Sequence, residues 1–206
     1  MVYIVPLGQS DLEQTIECVS RNFTQETMSK ALGINRNSYM PFAEIVCQKA
    51  IEEQLSLVAK DEESEDIIGF SILEDCVAEF PDLDGIDPQF IPIMNLLGEL
   101  GDWHKSNYQV QSGDILHLFM TGVDEQYRRQ GIASQLLEAT ISQAKSNNYN
   151  SVIAECTGAI TQNITTKYGF KAIKEIDYKS YIYNGELVFK DINETRSCKL
   201  MLKKFD

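Results

Sequence analysis

The run Ile115–Val123, six of its nine residues apolar, ends in a short polar turn, and an amphipathic helix begins directly after Gly131. No other stretch constrains the fold as much. A run of that length bounded by turn residues reads as a buried strand. The stripe that follows (Ala133, Leu136, Leu137, Ile141 and Ala144) has helical spacing. A strand feeding a helix in this way belongs to a sheet covered by helices. The helix start also presents four unpaired backbone N–H groups and a partial positive charge. Small residues at Gly131 and Ala133 let a phosphate approach the backbone, and Arg128 and Arg129 add charge. A capped helix without a ligand is the other reading of these residues alone.

The rest of the chain alternates in the same manner. Residues 3–5 read as a strand. Ser10 and Glu13 have capping-box spacing before a helix through Ile16 and Val19. A second short helix is expected over 23–32, ending at Gly33. Val46, Cys47, Ala50 and Ile51 form one stripe of a helix over 43–54. Two β-like runs, 55–59 and 67–73, flank the charged stretch 61–66, which reads as a solvated hairpin turn. Residues 80–92 read as a loop, 93–103 as a helix, 151–154 as a strand, 160–168 as a helix and 170–176 as a strand. Strands at 187–189 and 198–202 close the series. The expected class is α/β of the α+β kind, with a mixed, partly parallel sheet. No stretch has the composition of a linker, so residues 1–206 are expected to form a single domain.

Composition narrows the functions. The chain has 206 residues, 43% of them apolar, enough to bury roughly 70% of the unfolded surface without a disulfide or metal staple. No window of eighteen apolar residues exists, and the apolar run at the start is too short for a signal peptide. The net charge of −13, from 31 acidic and 18 basic residues, argues against duplex and anionic-lipid partners. It would attract protonated amines. Cys18, Cys47, Cys76, Cys156 and Cys198 are odd in number and widely spaced, which argues for a reducing cytoplasm. His104 and His117 are too far apart to suggest a metal site. No heptads appear, so a monomer or weak homodimer is expected.

The pattern Arg128-x-x-Gly131-x-Ala133, after a strand ending at Val123, resembles the acetyl-CoA motif of the GNAT superfamily of N-acetyltransferases. Lys167-Tyr168-Gly169-Phe170 resembles the end of the next helix in that superfamily. Within it the chain is most similar to the insect-type arylalkylamine N-acetyltransferases. That likeness lies in residues 23–26, Val123-Asp124 with Tyr127-Arg128, residues 156–170 and residues 185–189. It implies a GNAT-like, mostly antiparallel sheet with one splayed parallel strand pair and helices on both faces. It implies acetyl-CoA as co-substrate and a small-molecule amine, arylalkylamine-like or polyamine-like, attacking directly in a ternary complex. Strand-end backbone at Thr121, Gly122 and Val123 would meet the thioester and pantetheine. The amides of Arg129, Gln130, Gly131, Ile132, Ala133 and Ser134, with Arg128 beside them, would hold the pyrophosphate. Lys167 either reaches a phosphate or stays on the surface.

Acetylating an ammonium with a pKa of about 10.4 requires a base, because only the neutral amine attacks. Glu26 aligns with the catalytic glutamate of the insect-type enzymes, although Thr27 stands where they have proline. His117 aligns with a catalytic histidine of the vertebrate type, and Phe119 replaces the second. Strand alternation puts His117, Phe119 and Thr121 on one face. Thr165 stands where many relatives carry a tyrosine acid, and Thr157 and Thr161 fall on two serines of the insect type. Phe23, Met28, Tyr39, Met40, Phe42, Phe90, Ile93 and Tyr178 read either as an apolar amine pocket or as ordinary core. A peptide or protein amine as substrate, or an acyl-CoA sensor with weak catalysis, are the competing functions.

Overall fold

The computed structural model describes residues 1–79, 81–83 and 85–205. One seven-stranded sheet runs through it in the order β1-β2-β3-β4-β5-β7-β6. The strands are β1 (Val2–Pro6), β2 (Leu57–Asp61), β3 (Ile67–Asp75), β4 (Ile115–Val123), β5 (Ser151–Cys156), β6 (Lys171–Asp177) and β7 (Ser197–Lys204). Every pair is antiparallel except β4 with β5. The helices are α1 (Leu12–Phe23), α2 (Thr27–Ala31), α3 (Arg36–Glu53), α4 (Ile91–Asn107), α5 (Ile132–Ser146) and α6 (Ala159–Lys167). Residues of α1, α3 and α4 bury their apolar sides in one cluster on one face of the sheet. Leu136, Leu137 and Ala144 of α5 pack on the other. The mixed sheet with helices on both faces is therefore as expected.

The parallel pair is short. It holds only Ile115↔Ser151, Leu116↔Val152 and His117↔Ile153. Beyond that point Leu118 and residues 120–123 pair only with β3, and residues 154–156 only with β7. The two strands splay, leaving a gap between their C-terminal ends. At the same place the β3–β4 register slips by one residue: Ile72 lies opposite Met120, and Leu73 opposite Leu118. This bulge at Phe119 changes which side chains face which way. Met120 joins the cluster under α1 and α3, and a Cβ on Gly122 would strike the Phe70 ring at 2.8 Å and Asn22 at 3.2 Å. Val123 packs with Ile132 and Leu136 on the opposite face. Thr121 therefore does not share a face with His117 and Phe119, as simple alternation implied.

Several local expectations are corrected. Ser10 and Glu13 do not cap α1. Asp11 precedes the helix instead; its carboxylate accepts from the Gly8 amide at 3.2 Å and pairs with Lys60 at 2.7 Å. The helix expected over 23–32 is broken. Phe23 ends α1, and Glu26 adopts an extended conformation to cap α2. Helix α3 starts two turns before residue 43, capped by Asn35, and carries Pro41 inside it. Proline costs such a helix one hydrogen bond, and the packing of Tyr39 and Phe42 in the core outweighs that. Residues 187–189 are not a strand but a turn beside an isolated Tyr183–Glu186 bridge. The charged stretch 61–66 does form the β2–β3 turn, with Asp61 accepting from the Glu63 and Ser64 amides. In the expected loop 80–92, Phe80 and Asp84 lie outside the described residues, and α4 already begins at Ile91.

Candidate active site

The turn after β4 is built around two left-handed residues, Arg129 (φ 63°) and Gly131 (φ 82°). Gly131 is the cap of α5, and only glycine adopts that conformation without strain. Among the described residues, the amides of Arg129, Gln130, Gly131, Ile132 and Ala133 donate to no backbone or side-chain acceptor. Five successive free N–H groups at a helix start make an anion cradle. Ser134, expected to belong to it, does not contribute its amide, which donates to the Gly131 carbonyl at 3.0 Å.

Arg128 has a different task from the one its charge implied. Its guanidinium donates to the Val123 carbonyl at 3.1 Å and to Asn22 at 3.3 Å. Asn22 in turn donates to Asp124 at 2.9 Å, and Arg21 pairs with Asp124 at 2.6 Å. The arginine thus ties the end of β4 to α1 and fixes where the cradle begins. Lys167 is exposed at the end of α6.

Glu26 lies at the start of α2, near Thr157 just beyond β5. One carboxylate oxygen accepts from the Met28 and Ser29 amides at 2.9 and 3.1 Å. The other, Oε1, is buried with no hydrogen-bond partner. Burial pushes the carboxyl pKa up, and the Thr157 hydroxyl, approaching from beyond β5, pulls it back along with the Ser29 and Met28 amides. Burial, and behind it the Glu26 charge, also raises the Tyr39 phenol. Tyr178, wholly buried, donates to the Thr157 carbonyl at 2.8 Å. Glu26 and Thr157, far apart in sequence, thus meet beside the end of β5. A buried carboxylate oxygen with only the Thr157 hydroxyl near it, and no hydrogen bond of normal geometry, is costly and calls for an explanation in function.

Thr161 is placed otherwise. Its hydroxyl donates to the Gly158 carbonyl at 2.9 Å and closes the first turn of α6. Thr165 is buried and donates to the Thr161 carbonyl at 2.8 Å. The aromatic residues read as a possible pocket do come together, but packed on each other. Phe42 stacks on Phe90 at 5.2 Å, and Tyr39 meets both edge-on. Met28, Ile93 and Tyr178 are buried in the same cluster, with Phe23 and Met40 at its margin. A cavity of about 790 Å³ lies beside α1, lined by residues of α1, α3, the start of β3 and the turn after β4, and of the expected pocket residues it takes in Met40 alone.

His117 sits apart from Glu26 in a buried ion cluster. Nδ1 lies 2.9 Å from Glu74 and Nε2 lies 2.6 Å from Glu155. Lys49 reaches Glu74 at 2.6 Å and Glu53 at 3.3 Å. Burial alone would lower the imidazole pKa, but Glu155 and Glu74 overrule it and hold it at about 10. Both ring nitrogens are taken at neutral pH, so neither is free to accept a proton. Residues the sequence analysis missed include Glu74 and Glu155, which carry no motif. Gln162 was missed too; it joins the ends of β5 and β7 through the Cys156 and Ser197 carbonyls at 3.0 and 2.7 Å.

Residues 98–162 match the family described as GCN5-related N-acetyl-transferase. That stretch contains β4, the Gly131 turn, α5 and β5. The C-terminal condensation domain of Ebony, solved in complex with beta-alanyl-dopamine, is 21% identical over 100% of this chain and 99% of its own, with a TM-score of 0.90. Arylalkylamine N-acetyltransferase 2 from Aedes aegypti is 22% identical over 100% of this chain and 99% of its own, with a TM-score of 0.83. The polyamine N-acetyltransferase of Drosophila melanogaster, which catalyses the formation of N-acetylagmatine, is 15% identical with full coverage of both chains and a TM-score of 0.79. The chain has the fold of the GCN5-related N-acetyltransferases, and the expected likeness to the insect arylalkylamine type is borne out at the level of fold. At these identities the structural likeness speaks for the fold.

Proposed function

We propose that the chain transfers an acetyl group from acetyl-CoA to the primary amine of a small arylalkylamine-like or polyamine-like molecule, in a ternary complex. The observation that carries this reading is the buried Glu26 carboxylate, whose Oε1 makes no hydrogen bond of normal geometry and whose nearest neighbour beyond α2 is the Thr157 hydroxyl, just past the end of β5. The five free amides from Arg129 to Ala133 suit a diphosphate. The gap between β4 and β5 suits a narrow, amide-bearing arm, whose groups can pair with strand ends that have lost their neighbour.

On this reading Glu26, acting through a water, takes one proton from the ammonium. The neutral nitrogen attacks the thioester carbon, and a strand-end N–H steadies the oxyanion. The C–N bond forms, the C–S bond breaks, and the departing thiolate takes its proton from solvent, since a thiol pKa of about 8.5 makes no strong acid necessary. Thr157 orients the carboxyl. The relatives that act on an arylalkylamine or form N-acetylagmatine support a small amine. The Ebony complex supports including a larger acyl group in the tests.

A thiol-release assay across tyramine, tryptamine, agmatine, spermidine and a lysine peptide tests the reading, with acetyl-CoA and a β-alanyl thioester as donors. Release with at least one small amine is expected. Turnover of the peptide alone would overturn the substrate class, and no release with any amine would leave a coenzyme-binding module. Gly131→Ala puts a methyl group on a left-handed residue, at about 1–2 kcal/mol. The new Cβ would have only Gln135 Nε2 nearby, at 3.9 Å. The strain is therefore conformational, and calorimetry should show acetyl-CoA affinity reduced roughly tenfold.

A further inference from the structure

We propose that His117 is a positioning residue: its ring bridges Glu74 on β3 to Glu155 on β5 where the β4–β5 ladder stops, and so sets the width of the gap. This rests on the reading above, in which that gap receives the pantetheine arm.

The placement carries the argument. His117 and Ile153 form the last parallel pair. Glu74 is the direct cross-strand partner of His117 on the other side. Glu155 lies two residues beyond Ile153, on the same face, in the part of β5 that has already left β4. A backbone ladder would hold the two strands one hydrogen bond apart. Here a ring and a carboxylate stand in its place, joined by a 2.6 Å contact. The link is one imidazole plus one carboxylate long, so it holds the strands apart as well as together. Strand ends without it could zip into a longer ladder, closing the gap, or drift apart.

With both ring nitrogens on carboxylates, both must carry a proton, and the ring is then a cation between two anions. Lys49 and Glu53 face the Glu74 side of this cluster from α3, and His104 approaches from α4. Phe119, the bulge residue, packs against the ring at 5.7 Å. The side chains of His117, Glu74 and Glu155 are each no more than 15% exposed, so salt screens the bridge weakly.

The test compares three variants of the full chain by calorimetry with CoA and by steady-state kinetics. His117→Gln keeps at most one of the two contacts. Glu155→Gln keeps the ring and weakens only the link across the gap, so it serves if the first variant folds poorly. Lys49→Met removes an ion pair from the same cluster on the side away from β5. The first two should raise the Kd for CoA and the KM for acetyl-CoA about tenfold, with kcat within about threefold of wild type. Lys49→Met should lower thermal stability and leave the Kd within twofold. Unchanged CoA affinity in both His117→Gln and Glu155→Gln would overturn the proposal, as would an equal loss in Lys49→Met. A hundredfold fall in kcat at unchanged Kd in His117→Gln would make the ring a proton carrier instead. Wild type that binds CoA while the variants match it sinks this inference alone; wild type that binds no CoA sinks the proposed function with it.

Discussion

Glu26→Gln is expected to lower kcat/KM for amine acetylation by roughly 10²- to 10³-fold, the usual worth of a positioned general base. The substitution keeps the shape of the side chain. The oxygen that caps α2 can still accept from the Met28 and Ser29 amides. What is lost is the ability of the buried end to take a proton. The stability of the variant should move the other way. Burial raises the folded pKa of Glu26 above its ordinary value of 4.5, so the folded chain holds the proton more tightly than the unfolded chain. The favourable contribution is therefore full below that ordinary value and is lost as pH rises through the raised one. The ionised carboxylate works against the fold, and the neutral amide does not. Thermal melts should show the variant at least as stable as wild type at pH 7.5, with any advantage shrinking on acidification. In wild type the acid limb of kcat/KM should fall as Glu26 is protonated. Activity within threefold of wild type would remove Glu26 from the reaction.

The second large effect is on stability. His117→Ala leaves Glu74 and Glu155 buried without their shared cation. Breaking a buried ion pair by removing one partner costs about 3–5 kcal/mol. For a chain of this size that corresponds to a fall in Tm of roughly 6–20 °C. The pH dependence identifies the cause. With a folded pKa of about 10 against an ordinary 6.5, the His117 contribution is full below pH 6.5 and declines as pH rises from there to about 10. Glu74 is the opposite case: burial would raise its pKa, but His117 and Lys49 win and hold it down. Its contribution is present above its ordinary value and lost as pH falls. Wild type should thus lose stability on the alkaline side above pH 6.5, and His117→Ala should lack that slope. An identical slope in both proteins would place the titration on another group.

Much of the site was legible from local residues. The Gly131 turn could be read because the requirement is local: a small residue in a left-handed conformation at a helix start, after an apolar strand. The strands from β2 to β5 were legible because each buries apolar residues at a period its own sequence displays. The failures have equally physical causes. The break between α1 and α2 was missed because Glu26 is a good helix former, and only its capping contacts with Met28 and Ser29 show why it leaves the helix. The strand expected at 187–189 has the right composition but no neighbour on the sheet: β7 lies between β5 and β6, and Phe189 packs on Tyr178 and Tyr181 instead.

The sequence by itself determined most of the order of elements and the glycine turn at the start of α5, and its resemblance to the insect-type enzymes singled out Glu26. Tertiary structure alone decided how these combine. A bulge at Phe119 reversed the facing of the following residues, which no alternation rule reports, since one slipped residue flips every side chain beyond it. Arg128 became a strut because Asn22 and the Val123 carbonyl lie within its reach. His117 became a cation held between two strands because Glu74 and Glu155, 81 positions apart in the chain, converge on its two nitrogens. Charge and conformational preference are written locally, but the company a titratable group keeps is set by long-range packing, and that company decides whether it accepts a proton or holds a gap open.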